Sequence, residues 1–109
     1  MLRKVTAAAA ALLVSSSLAV SLATAQDLNP AVVFDMGGKF DKSFNEGVYN
    51  GVERFKKETG IEYREFEVTN ETQREQALRR MAQRGANPVI GVGFAQAPAI
   101  EKVAKEFPD

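Results

Sequence analysis

The sequence contains neither cysteine nor histidine, and its positive and negative charges balance. Without cysteine, disulfide scaffolds, thiolate zinc sites and cysteine nucleophiles are excluded. Without histidine, histidine-based acid–base catalysis is excluded as well. With 14 basic and 14 acidic residues among 109, the chain has no excess of positive charge for binding nucleic acid. The hydrophobic fraction of 45% is that of a globular protein with an ordinary core.

The first 25 residues have the organisation of a secretory signal peptide. A short positive start precedes an uncharged stretch rich in alanine, leucine and valine, and an alanine-threonine-alanine sequence ends it at 23–25. Three serines at 15–17 interrupt the apolar stretch, which disfavours the alternative of an uncleaved membrane anchor. We therefore predict a signal peptide at 1–25 and a periplasmic mature domain at 26–109. Because no cysteine follows the cut, we expect the bacterial lipoprotein route to be closed.

Strand and helix patterns alternate along the rest of the chain. Apolar runs predict strands at 31–34 and 89–93. A strand is also predicted at 61–68, and its charged residues make it less buried than the first. Helical patterns follow each of them, so right-handed crossovers and a parallel sheet covered on both faces are expected. The predicted fold is α/β with strand order 2-1-3. Since a fourth strand is expected where the sequence stops, we interpret the chain as truncated, a fragment of a longer protein.

Capping boxes predict where the first two helices begin. Ser43 and Glu46 form the first, and a second lies at 72–75. Gly47 and Gly51 lie one turn apart in the first helix, which predicts close packing of that helix on the sheet. The apolar stripe predicted for the first helix is Phe44, Val48, Val52 and Phe55.

Ligands of open α/β sheets bind beyond the carboxyl ends of the strands, where the strand order reverses. Here that point lies between the first and third strands, so the candidate loops are 35–45 and 93–96. A phosphate site fits badly, because both glycine-rich phosphate motifs are missing and Asp35 and Asp41 would repel phosphate. An enzyme using these two carboxylates with a hard metal is an alternative. Two acids are too few ligands, however, and we predict no catalytic residue, metal or cofactor.

A carboxylate beside an aromatic ring and an amide suits an uncharged polar ligand. Asp35 can accept hydrogen bonds, Asn45 can donate and accept them, and Phe44 can stack on a planar ring. Each has a structural alternative: Asp35 can bond loop amides, Phe44 can belong to the core, and Asn45 can be a solvated first-turn residue. Gly93 and Phe94 can simply pack at a strand end.

The pattern Asp35-x-Gly37-Gly38-x-x-Asp41-x-Ser43-Phe44-Asn45-Glu46 resembles the signature of the basic membrane protein family. These are substrate-binding proteins of ABC transporters, of the purine nucleoside receptor type. The stretch 89–94 and the helix after it are similar to a second block of the same family. The resemblance covers essentially all of 26–109.

The resemblance implies a type I periplasmic binding fold, in which two α/β lobes close on a ligand at the hinge. This chain would be the N-terminal part of one lobe. It also implies that Asp35 bonds the ligand, that Phe44 stacks on a purine and that Asn45 lies beside them. With Gly93 and Phe94 these form the predicted ligand-binding set.

We therefore expect a non-enzymatic, monomeric substrate-binding component that captures a purine nucleoside or a similar small polar aromatic solute. An ABC transporter permease is its expected partner. The alternative is the ligand-sensing lobe of a receptor or regulator built on the same fold.

Overall fold

Three strands and three helices alternate along residues 28–109, the part of the chain that this computed structural model describes. The predicted signal peptide at 1–25 lies outside the described residues. Within 28–109, no helix has the length and apolar character needed to cross a membrane. The elements are β1 (Ala31–Phe34), α1 (Phe44–Thr59), β2 (Arg64–Glu67), α2 (Gln73–Gln83), β3 (Val89–Gly91), a 3-10 turn (Phe94–Gln96) and α3 (Ala97–Glu106).

The strands form one parallel sheet in the order β2-β1-β3. Ala31 at the start of β1 lies opposite Arg64 of β2 on one side and Val89 of β3 on the other. All three strands therefore point their carboxyl ends to the same edge of the sheet. The predicted α/β class and the predicted strand order 2-1-3 are both confirmed.

The central strand β1 is completely buried, with 0% exposure at each of its four residues. Successive side chains of a strand point to opposite faces. Ala31 and Val33 pack against α2 and α3, in a cluster with Leu78, Met81 and Val103. Val32 and Phe34 pack against α1, beside Val48, Tyr49 and Val52. Burying one Val or Phe side chain contributes about 1.5–3 kcal/mol, so β1 holds the two helical layers together.

The outer strands are more exposed than β1, and β3 is also one residue shorter. The second strand, predicted at 61–68, spans Arg64–Glu67 and is mostly exposed, as its charged residues indicated. The third, predicted at 89–93, ends at Gly91 and is only half-buried. Of the three described strands only β1 has a neighbour on both sides, which explains why complete burial is confined to it.

The predicted capping boxes are wrong in mechanism, although the helices begin within one residue of the expected positions. Ser43 is the N-cap of α1 but makes no side-chain cap bond within the described part of the chain. The carboxylate of Asp41 takes that role. At α2, the hydroxyl of Thr72 donates to Asn70 Oδ1 at 2.6 Å instead of capping the helix. At α1, the carboxylate of Asp41 lies two residues before Ser43. Its two oxygens can accept more backbone N–H groups than a single hydroxyl can.

The prediction that Gly47 and Gly51 pack closely on the sheet is also wrong. Both are exposed, and a Cβ added at either would meet no other described residue within 4 Å. The close approach occurs at Gly91 of β3, where an added Cβ would lie 2.6 Å from Ile100 Cδ1. The helix that sits tightly on a glycine is therefore α3, and the glycine belongs to the strand.

Candidate functional site

The loop between β1 and α1 is anchored by the carboxylate of Asp41. Its Oδ1 accepts the backbone N–H groups of Ser43 at 2.8 Å and Glu46 at 3.0 Å, and its Oδ2 accepts that of Asn45 at 3.3 Å. Partial desolvation acts to raise the pKa of Asp41, but these N–H donors outweigh it and hold the pKa below its ordinary value. The carboxylate of Asp41 therefore caps the first turn of α1 by accepting its free backbone N–H groups.

A pair of glycines makes the turn in this loop. Gly37 and Gly38 have φ angles of 104° and 76°, in the region that side-chain-bearing residues rarely adopt. The N–H of Gly38 donates to Asp35 O at 3.2 Å, and a Cβ added at Gly38 would lie 3.0 Å from Glu67 Oε1. That oxygen accepts the N–H of Lys39 at 2.9 Å. The turn thus brings the loop against the carboxyl end of β2.

Asn45 lies beneath this loop and is only 3% exposed. Its Oδ1 accepts the backbone N–H of Asp35 at 3.1 Å, and its Nδ2 donates to the backbone O of Asp35 at 3.0 Å. The alternative of a solvated first-turn residue is therefore wrong. The carboxamide fixes the backbone from which the Asp35 side chain projects.

The carboxylate of Asp35 is paired with the guanidinium of Arg74, in the first turn of α2. Arg74 Nε donates to Oδ1 at 2.9 Å and Nη2 donates to Oδ2 at 3.3 Å. The two side chains are only 16% and 13% exposed. Sequence reasoning missed Arg74, which lies 39 positions from Asp35. The one signal that could have found it is topology, since α2 starts at the same sheet edge at which β1 ends.

Two phenylalanine rings project from this edge of the sheet. Phe44 is 67% exposed and Phe94 is 88% exposed, and their centroids lie 6.1 Å apart with an interplanar angle of 78°. The alternative of Phe44 as a core residue is therefore wrong. Gly93 has a φ of 94°, and a Cβ added there would lie 3.6 Å from Asp35 Oδ2. Loops 35–45 and 93–96 are thus neighbours, as the strand order predicted.

Gln96 ties the second loop to the sheet. Its side chain is fully buried, and its Nε2 donates to Val33 O at 2.8 Å and to Val92 O at 3.0 Å. These bonds join β1 to the segment just after β3, next to Gly93 and Phe94. The Oε1 of Gln96 is buried with no hydrogen-bond partner among the described residues.

The aromatic pair lies on an open face of the described chain. One open hollow, of about 430 Å³, borders the loop between the ends of β1 and β2, lined by Met36, Gly37, Gly38, Glu67, Val68 and Thr69. An apolar hollow of about 360 Å³ lies between α2, α3 and the amino end of β3, away from Asp35 and both rings. Between residues 28 and 109, no acidic cluster is arranged to hold a metal ion. The exposed rings of Phe44 and Phe94 and the glycine turn therefore lie along one open edge of the sheet.

Residues 29–109 match a family model described as Bmp, the PnrA-like substrate-binding proteins of ABC transporters. An uncharacterized lipoprotein of Pyrococcus abyssi is 34% identical over 86 residues, which cover 78% of this chain and 21% of that protein. A CD4+ T-cell-stimulating antigen of Listeria monocytogenes is 28% identical over 90 residues, covering 78% and 25%. The chain therefore spans about a fifth to a quarter of the length of these curated relatives.

Two solved structures share the fold. A solute-binding protein of an ABC transporter system from Aeropyrum pernix superposes with a TM-score of 0.68 at 29% identity, over 74% of this chain and 22% of that one. A second solute-binding protein, from Conexibacter woesei, gives a TM-score of 0.64 at 30% identity, over 74% and 27%. The described sheet and helices thus correspond to about a quarter of each of these solute-binding proteins.

Proposed function

This chain belongs to the family of PnrA-like ABC transporter substrate-binding proteins, and we propose that it helps to capture a purine nucleoside or a similar small polar aromatic solute. In the proposed site, Asp35, Phe44, Gly93 and Phe94 contact the solute, and the buried Asn45 holds the backbone of Asp35 in place. An ABC transporter permease is the proposed partner, and the periplasm the proposed location. The sequence predicts that the mature protein carries no lipid anchor. Two relatives are named lipoproteins, so the comparisons do not support that prediction.

The observation that carries this proposal is the exposure of two phenylalanine rings beside a fixed carboxylate. Leaving a Phe side chain in water forgoes about 1.5–3 kcal/mol of burial energy, so a planar solute that covers Phe44 and Phe94 would recover part of it. Aromatic contacts add about 0.5–1.5 kcal/mol beyond burial. The rings flank the position at which the strand order reverses, where ligands of such sheets bind.

The remaining residues of the proposed site bind the polar groups of the solute, position the loop or leave space for the solute. An ionised carboxylate has about four lone-pair positions, and Arg74 uses two of those on Asp35, so two stay available to N–H or O–H groups of a solute. Asn45 acts through Asp35, whose backbone it holds. Gly93 carries no side chain, which lets a ligand approach the carboxylate closely. Binding, with no covalent step, is what this arrangement supports.

The test is the substitution Phe44→Ala in the whole protein, with inosine and adenosine titrated calorimetrically. We expect a loss of about 1–3 kcal/mol, or about 5- to 150-fold in affinity, with little change in Tm because the ring is 67% exposed. Phe40→Ala is a matched control, since Phe40 is 63% exposed and packs on Tyr49 away from Phe94. Absence of nucleoside binding by the wild type, or unchanged affinity in Phe44→Ala, would overturn the proposal.

A further inference from the structure

We infer that Arg74 sets the charge preference of the proposed site, so that uncharged solutes bind in preference to cations. The inference rests on the proposed function, because it concerns the same edge of the sheet. Its basis is the two-bond pairing of Arg74 with Asp35, whose Oδ2 would lie 3.6 Å from a Cβ added at Gly93, the residue before Phe94. Arg74 thereby becomes a specificity-determining residue.

Without Arg74, the site would be well suited to an organic cation. A carboxylate beside exposed aromatic rings attracts an ammonium group through both its charge and the electron-rich faces of the rings. With Arg74 in place the Asp35 side chain is 16% exposed, and a ligand that covered the carboxylate in the absence of Arg74 would again exclude water and so weaken the screening. The guanidinium of Arg74 cancels the charge and removes the electrostatic part of the attraction.

The pair nevertheless keeps capacity for hydrogen bonding. A guanidinium carries five N–H donors, of which two are used on Asp35, and the carboxylate keeps about two lone-pair positions. Together Arg74 and Asp35 therefore offer donors and acceptors side by side with no net charge. Such a surface matches a neutral molecule whose polar edge carries both kinds of group.

The position of Arg74 supports a role in this pair. It is the second residue of α2, where the helix dipole disfavours a positive charge. The helix dipole gains nothing from an arginine at this point, whereas Arg80, in the last turn of α2, is placed favourably. The ion pair with Asp35, at the end of β1, offsets the unfavourable interaction of Arg74 with the helix dipole.

The decisive experiment uses tetramethylammonium chloride as a probe, against sodium chloride at equal ionic strength. Amide NMR shifts of Gly37, Gly38 and Gly93 in the wild type, Arg74→Met and Arg74→Lys report binding at the site. We expect Arg74→Met to bind the cation about tenfold more tightly than the wild type, and Arg74→Lys to resemble the wild type because it keeps the charge. Equal affinity in the wild type and Arg74→Met would overturn the inference.

Arg80→Met is the matched control, because Arg80 is exposed on the same helix and its loss changes the net charge equally. We expect no gain in cation binding there; an equal gain would show a non-specific charge effect and overturn the inference. Should Arg74→Met fail to fold, Arg74→Gln provides the same comparison with a polar side chain of similar reach.

A nucleoside pair separates this inference from the proposed function. Adenosine is uncharged at pH 7, whereas 1-methyladenosine carries a positive charge. We expect the wild type to prefer adenosine and Arg74→Met to shift the ratio of affinities about tenfold towards the cation. If adenosine does not bind the wild type, the proposed function is refuted, while the tetramethylammonium comparison still decides the role of Arg74.

Discussion

Replacing Asn45 by alanine should remove the support of the loop that carries Asp35. The side chain is 3% exposed, and both of its hydrogen bonds, at 3.1 and 3.0 Å, go to the backbone of Asp35. A buried polar group left without a partner costs about 1–3 kcal/mol, and the substitution leaves the N–H of Asp35 in that condition, while its C=O still accepts the N–H of Gly38 at 3.2 Å. We therefore expect a loss of about 1–3 kcal/mol in the free energy of unfolding.

Urea denaturation followed by circular dichroism measures this loss. A domain of this size has a total stability of only about 4–12 kcal/mol, so the midpoint should move to clearly lower urea with an unchanged slope. Asn50→Ala is the matched control: Asn50 is exposed in the same helix, and its replacement should change stability by no more than about 0.5 kcal/mol. If Asn45→Ala is no more destabilising than Asn50→Ala, the positioning role of Asn45 is refuted.

Two further substitutions test the loop anchor and the contact between β3 and α3. Asp41→Asn should lower stability at pH 7, and the difference from the wild type should shrink as pH falls below 3.8. The reason is that a carboxylate whose pKa is lowered by folding stabilises the fold at pH values above its ordinary pKa, and this stabilisation is lost when the carboxylate is protonated. If acid unfolding showed the same difference in stability between Asp41→Asn and the wild type at every pH, this reasoning would be contradicted. Gly91→Ala should cost about 1 kcal/mol, because its Cβ would lie 2.6 Å from Ile100 Cδ1, a side chain exposed enough to yield partly. Gly51→Ala, with open space around it, should instead gain up to about 1 kcal/mol in thermal unfolding, and similar effects at the two glycines would refute the packing argument.

The fold could be predicted from the sequence because its strongest signals are one-dimensional. The uninterrupted apolar run at 31–34 marks a strand buried on both faces, and the structure places β1 there with the same bounds. Alternation of strands and helices then restricts the topology to few arrangements. The strands β2 and β3 were predicted too long, because an edge strand ends where its pairing with the neighbouring strand ends, and the residue pattern of 61–68 or 89–93 does not record that point.

The site was predictable at the level of loops but not of individual contacts. Strand order alone brings 35–45 beside 93–96, and the structure has them adjacent. The roles of Asp41 and Asn45 depend on the path of a turn that two glycines shape, and the role of Arg74 depends on where α2 begins relative to the end of β1. A capping box predicts Ser43 as the cap, since the pattern cannot show that Asp41 folds back to accept the same amides.

The backbone of the loop leaving β1 is fastened before any solute arrives. Asp41 accepts three amides of the following helix start, and Asn45 holds both polar backbone groups of Asp35. Ordering a side chain or a loop during association usually costs about 0.5–1.5 kcal/mol for each immobilised side chain. In this loop the entropic cost of ordering the backbone is incurred when the chain folds and not when a solute binds. We therefore expect differences in affinity between solutes to lie mainly in their dissociation rate constants, with similar association rate constants.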